Sequence, residues 1–187
     1  NMSHEIRTPL NGVIGIIDSL SRTTLTPEQR EMVALVQTSG RTLERLVSDI
    51  LDVSKIEAER LEIEYEPFDL GETLDAVLNV ARSRADEKGL DFKVVAGPDA
   101  RGRFLGDTTR ISQVLANLLS NAVKFTAQGG LTVCVDVQTG QDAQTELTVD
   151  ISDTGIGFDA DQAARLFDRF NQADSSITRQ FGGTGLG

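Results

Sequence analysis

Apolar positions in the first third of the chain recur at alternating spacings of four and three. Ile6, Leu10, Val13, Ile17 and Leu20 form one series, and Val33, Val36, Gly40, Leu43, Val47 and Ile50 form a second. A period of 3.5 marks helices packed along a narrow seam, as in a coiled coil or bundle. The pattern breaks over Ser21 to Thr26. It restarts at Thr26-Pro27-Glu28-Gln29, where Thr26 suits an N-cap, Pro27 the first turn and Gln29 the closing residue of a capping box. Residues 1 to about 60 are therefore expected to form a helical hairpin. Two antiparallel helices bury only half of a four-helix core. A homodimer would supply the other half; the competing arrangement packs the hairpin on the remainder of its own chain.

From about residue 61 to residue 187 the periodicity turns mixed. Asp69 with Glu72 predicts the start of a helix running to about Glu87, and Leu90 to Ala96 reads as a strand. Asp107 predicts a helix through about Phe125. Leu131, Val133, Val135 and Val137 alternate with polar residues, as do Thr145, Leu147, Val149 and Ile151 across a turn at Thr139 to Gln144. Asp159 with Gln162 predicts a short helix ending near Phe170, and Asn171 to Gly182 reads as a mobile polar loop. The order of elements predicts an α+β two-layer sandwich, with helices on one face of a mixed sheet. There are no internal repeats.

Composition narrows the function. Of 187 residues, 39% are hydrophobic and 25% charged, a globular mix. The formal net charge of -11 and the lack of a Lys/Arg run argue against a nucleic-acid partner and against docking on anionic lipid. Nothing approaches the roughly 20 apolar residues of a membrane span, and no signal peptide is present. Cys134, the only cysteine, is expected to be a half-buried strand thiol, and a single cysteine fits a reducing compartment such as the cytoplasm.

His4 is the only histidine. It falls about 100° off the seam of its helix, a stagger that follows from 3.6 residues per turn, on a stripe with Arg7, Thr8, Asn11 and Gly15. A lone histidine is commonly a solvated or core residue. Here Glu5 can accept a proton from the imidazole and so sharpen the other ring nitrogen as a nucleophile. Pro9, one turn on, removes a helical hydrogen bond and loosens the segment.

No GxxxxGK[ST] sequence occurs, which excludes a P-loop, and no strand leads into GxGxxG. The glycines lie instead in Asp153-Thr154-Gly155-Ile156-Gly157 and Gly182-Gly183-Thr184-Gly185-Leu186-Gly187. Asn117, Asn121 and Lys124 share one face of their predicted helix, and Leu115, Leu118, Leu119 and Ala122 are assigned to the other. The polar stripe is either a solvated face or a magnesium-phosphate site. In the second reading the Asn121 amide oxygen meets a hard cation and Lys124 offsets phosphate charge. Asp153, following a strand, can accept a hydrogen bond from the exocyclic amine of adenine; otherwise it is a turn or cap residue.

Five stretches carry a family resemblance. Ser3-His4-Glu5-Ile6-Arg7-Thr8-Pro9-Leu10-Asn11 resembles the phosphoacceptor box of sensor histidine kinases. Asn117 to Phe125, Asp153 to Gly157, Leu166 to Phe170 and Gly183 to Gly187 resemble the N, G1, F and G2 boxes of the Bergerat ATP-binding fold. The resemblance spans essentially the whole chain. It implies an α-helical hairpin (residues 1-60, a dimeric four-helix bundle for dimerisation and histidine phosphotransfer). An ATP-binding catalytic domain of the Bergerat type follows (residues 61-187), truncated at its C-terminal end. It also implies that His4 receives phosphate from ATP, that Glu5 is the base, and that Thr8 positions water for a phosphatase reaction. Asn121 would hold Mg²⁺ with Asn117 beside it, Asp153 would read adenine, and Gly155, Gly157, Gly183, Gly185 and Gly187 would line the nucleotide. Residues 158-182 would form a lid anchored by Phe167 and Phe170.

The stretch Phe170 to Phe181 resembles the hybrid subclass, whose receiver domain lies further along the same chain. The implied partners are a second copy of the chain and a receiver domain, there or on a separate response regulator. Membrane attachment would come only through parts outside this sequence. Gln172 departs from the arginine that many simple histidine kinases place nearby, which would pass the γ-phosphate contact to Arg179 or Arg169. The competing functions are a degenerate kinase serving as a dimeric relay scaffold, and another Bergerat ATPase that hydrolyses ATP without forming a phosphoprotein.

Overall fold

The computed structural model describes residues 2–58, 60–140 and 144–159. The described residues fall into two compact units that divide between Glu62 and Ile63.

The first unit is a hairpin of α1 (Met2–Ser21) and α2 (Pro27–Glu57). The Thr26 side chain accepts from the Gln29 N–H, the Gln29 side chain accepts from the Thr26 N–H, and Pro27 opens the helix, as the sequence predicts. Pro9 lies inside α1, which runs through it. Register between the helices is fixed by polar and steric contacts. The Gln37 amide donates to Asp18 at 2.8 Å, Arg41 approaches the same carboxylate at 3.9 Å, and Gly40 lies so close to α1 that an added Cβ would stand 3.1 Å from Ile14. Among the described hairpin residues only Val33 is buried. Much of the 3.5-residue seam (Val13, Leu20, Val36, Leu43 and Ile50) is exposed in the single chain.

The second unit contains β1 (Glu66–Asp69), α3 (Leu70–Glu87), β2 (Asp91–Ala96), β3 (Arg103–Gly106), α4 (Thr108–Phe125), β4 (Gly130–Thr139) and β5 (Thr145–Asp153). Asp69 and Asp107 cap α3 and α4, accepting from the N–H groups of Glu72 and Arg110. The main sheet has the order β2-β4-β5, with β2 parallel and β5 antiparallel to β4. Leu70, Leu74, Leu78 and Ala81 of α3 join Leu115 and Leu119 of α4 over Val133, Val135 and Val137 of β4 to form the core. This is the predicted sandwich of helices on a mixed sheet.

Three details differ from the sequence reading. β1 and β3 pair as a separate antiparallel ribbon; four residues each, with Pro67 and Gly106 inside, leave no alternation to detect. Leu118 is 46% exposed, whereas Leu115, Leu119, Ala122 and Val123 are buried. The apolar stripe of α4 is thus narrower than expected, and Leu118 lies 100° round from Leu119. Cys134 is exposed rather than half-buried. Because β4 buries Val133 and Val135, strand parity turns the intervening side chain to the open face. Beyond its first residue, Asp159, the expected helix ending near Phe170 lies outside the described residues, as do the loop and glycines that follow it.

Leu119→Ala is expected to cost about 2–5 kcal/mol in denaturant unfolding of this unit, and Leu118→Ala at most about 0.5 kcal/mol. Equal losses at the two positions would contradict the packing.

Candidate nucleotide and phosphoacceptor sites

His4 lies on the first turns of α1; its side chain is outside what the structure describes. Glu5 and Thr8 are exposed on the same helix. Pro9 supplies no N–H to the carbonyl four residues earlier, that of Glu5, so this helical bond is lost beside the histidine.

In the second unit, α4 and the loop after β5 form one junction. Asn117 is exposed on α4, and Asn121 and Lys124 are half-buried one and two turns on. The Lys124 ammonium stands 4.8 Å from the centre of the Phe125 ring. Asp153 ends β5, exposed, and its Oδ1 accepts from the Gly155 N–H at 2.8 Å. The loop is tied back to α4 and its exit turn. Ile156 N–H donates to the Phe125 carbonyl (3.4 Å), Thr154 N–H donates to the Gly130 carbonyl (3.1 Å), and the Thr154 hydroxyl donates to the Gln128 carbonyl while accepting from Gly130 N–H, both at 3.0 Å.

Two glycines are required by this approach. A Cβ at Gly155 would stand 2.6 Å from the Phe125 carbonyl oxygen, and one at Gly129, whose φ is +95°, would collide with the Thr154 hydroxyl. Gly157 also has positive φ, +62°. Of the predicted site residues, Asn117, Asn121, Lys124, Asp153, Gly155 and Gly157 are therefore on elements fastened together. Gly183, Gly185 and Gly187, with Phe167, Phe170, Arg169, Gln172 and Arg179, are outside the described residues.

Two residues of the junction were not singled out from the sequence. Thr126 is fully buried; its hydroxyl bonds the Ala122 carbonyl at 2.8 Å and lies 3.5 Å from Asp153 Oδ1. A hydroxyl has one proton, and the shorter contact takes it. Lys88, just past α3, reaches the carbonyls of Val123 (2.6 Å), Lys124 (3.1 Å) and Thr126 (3.4 Å). A lysine at a helix end ordinarily reads as complementing its own helix, so nothing in the sequence directs it to α4.

The donor chemistry fits a magnesium nucleotide. Among the described residues no group of three His, Cys, Asp or Glu could cage a metal. Mg²⁺ is characteristically held by one or two protein oxygens together with waters and phosphates, which an Asn121 amide oxygen can provide. Also among the described residues, no helix is long and apolar enough to cross a membrane.

Comparison with known proteins finds a family match in each part of the chain. Residues 1–59 match the His Kinase A (phospho-acceptor) domain, and residues 106–187 match the histidine kinase-, DNA gyrase B- and HSP90-like ATPase. The chain is 42% identical over 187 residues to the signal transduction histidine-protein kinase BarA of Escherichia coli, and 40% identical over 186 residues to hybrid signal transduction histidine kinase L of Dictyostelium discoideum. Both alignments cover 100% of this chain, which spans 20% of the first protein and 11% of the second. The crystal structure of full-length ShkA in complex with AMPPNP superposes with a TM-score of 0.75 at 36% identity, covering 99% of this chain and 37% of that one.

Gly155→Ala is expected to push the loop off α4, lowering stability by about 1–3 kcal/mol and speeding amide exchange at Thr154 and Ile156. Unchanged protection at those amides would show that the loop does not depend on the close approach.

Proposed function

The chain belongs to the sensor histidine kinases as a catalytic core of the hybrid type, and from that membership we propose that it uses MgATP to phosphorylate its own His4. The observation that carries this reading is a pairing of two features: the chain's single histidine falls within the phospho-acceptor match, and an asparagine-lysine helix is fastened to an aspartate-glycine loop in the second unit.

Each residue then has a task. Asp153 accepts a hydrogen bond from the adenine amine, its carboxylate oriented by the Gly155 N–H. Asn121 offers an amide oxygen to the cation, with Asn117 one turn away, and Lys124 offsets phosphate charge. Gly155 and Gly157, with Gly183, Gly185 and Gly187, let the backbone approach the nucleotide. Mg²⁺, when bound, would be held through Asn121 with Asn117 beside it and would supply neutralisation of the charge that builds on the phosphates during transfer. A ring nitrogen of His4 attacks the γ-phosphorus, the bond from that phosphorus to the β,γ-bridging oxygen breaks, and Glu5 takes the imidazole proton. Such transfers depend on positioning and charge neutralisation rather than on covalent work by the protein.

Pairing of two hairpins would cover the exposed seam residues Val13, Val36, Leu43 and Ile50, which supports a homodimer through α1 and α2. The phosphoryl group would pass to an aspartate of a receiver domain, in the same chain as in hybrid kinases or on a separate regulator. Thr8, placed one turn after His4, would orient water for the reverse, phosphatase direction.

His4→Gln is expected to abolish phosphoryl transfer from ATP while leaving the ATP dissociation constant within about twofold, as expected of sites with no shared partners. Asp153→Asn, by contrast, is expected to weaken ATP at least tenfold through loss of a charge-assisted hydrogen bond. Titration of both variants with ATP, beside a phosphate-transfer assay, separates the two roles. Loss of ATP binding in His4→Gln would contradict them.

A further inference from the structure

Lys88 belongs to none of the nucleotide motifs, yet its ammonium is the shared partner of three carbonyls at the end of α4. An ammonium has three donors, and here all three point to a single helix terminus. That terminus carries the negative end of the helix dipole, about half an elementary charge. The turn Lys88 grips is the one to which the Asp153 loop is tied: Phe125 supplies the carbonyl that accepts from Ile156, and Thr126 supplies the hydroxyl beside Asp153. The side chain is not needed to end its own helix. The Lys88 backbone N–H already bonds the Ala85 carbonyl, and Gly89, with φ +69°, turns the chain away. At the other end of the two helices the Thr73 and Thr108 hydroxyls meet at 3.1 Å. The helices are thus bridged at both ends, and only the end held by Lys88 bears on Asp153.

We propose that Lys88 is a positioning residue for nucleotide binding. It fixes the last turn of α4, so that Asn121 on the helix and Asp153 on the loop keep the separation that one nucleotide requires. The proposal rests on the nucleotide reading above. Without the cation, three terminal carbonyls turn to water, the last turn frays, and the adenine contact is no longer held in register with the phosphate contact.

The test uses the full-length protein as wild type, Lys88→Met, Lys88→Arg and Lys93→Met, the last removing an exposed lysine on β2. ATP affinity is measured by calorimetry, and KM and kcat by phosphorylation of His4. Lys88→Met is expected to weaken ATP and raise KM roughly tenfold, the scale of a lost charged hydrogen-bond set, with kcat at saturation within about twofold. Lys88→Arg, which keeps the charge and the donors, is expected to recover most of the affinity, and Lys93→Met to match wild type. A folded Lys88→Met that binds ATP as tightly as wild type overturns the proposal. So does a Lys88→Met that loses kcat while keeping KM.

If Lys88→Met does not fold, the unaltered protein decides. By reciprocity of coupling, ATP should slow acylation of Lys88 more than that of Lys93, read by mass spectrometry. Equal slowing, or none, overturns the proposal. A wild-type protein that binds no ATP overturns the nucleotide reading and the proposal with it. An unimpaired Lys88→Met beside an ATP-binding wild type overturns the proposal alone.

Discussion

An α-helix ends in carbonyls that have no partner within the helix, and the way α4 satisfies its own decides where the candidate nucleotide residues stand. The Ala122 carbonyl takes the N–H and hydroxyl of Thr126, those of Val123, Lys124 and Thr126 take Lys88, and that of Phe125 takes Ile156 from the loop after β5. Each of these bonds joins α4 to its own exit turn, to α3 or to the Asp153 loop. One helix terminus therefore connects the element that carries Asn117, Asn121 and Lys124 with the element that carries Asp153. The close approach leaves no room for a side chain at Gly155, which accounts for that glycine apart from any contact with a ligand.

The elements that were legible in the sequence are those with local signals. Thr26, Asp69 and Asp107 announce helix starts because a short oxygen-bearing side chain accepts from a backbone N–H two or three residues on, and all three do so here. The alternation of Leu131, Val133, Val135 and Val137 locates β4 and its buried face. What was not legible depends on long-range partners. The pairing of β1 with β3 joins segments more than thirty residues apart, each too short for a period to show. Leu118 is apolar and sits beside buried residues, so only the real width of the α4 contact reveals that it is exposed. Lys88 looks like an ordinary helix-end lysine, and its partners lie 35 or more residues away. The candidate site residues were singled out partly by spacing, as with Asn117, Asn121 and Lys124 on one helix face, and partly by resemblance to family motifs, whereas the contacts around them were not foreseen.

The hairpin follows a different logic. Its helices touch through a few specific contacts, Gln37 with Asp18 and Gly40 against Ile14, while large apolar residues such as Ile16, Met32 and Leu35 stay 66–70% exposed. Apolar surface on this scale in a two-helix unit is what the proposed pairing of two hairpins would cover. Polar contacts then set register at little energetic gain. On the proposed reading labour is divided between the units: the candidate acceptor His4 lies on the unit that would associate, and the candidate nucleotide residues lie on the unit with its own core.

The most direct test of that division is the chemical identity and position of the phosphate after incubation with γ-labelled ATP and Mg²⁺. A phosphorylated histidine has a nitrogen–phosphorus bond, which is cleaved by acid and survives alkali, whereas a phosphorylated serine or threonine is stable to acid. A label that is acid-labile, alkali-stable and confined to the peptide containing His4 is the predicted result. A label that survives acid or maps elsewhere would contradict it, as would steady hydrolysis of ATP with no phosphoprotein formed.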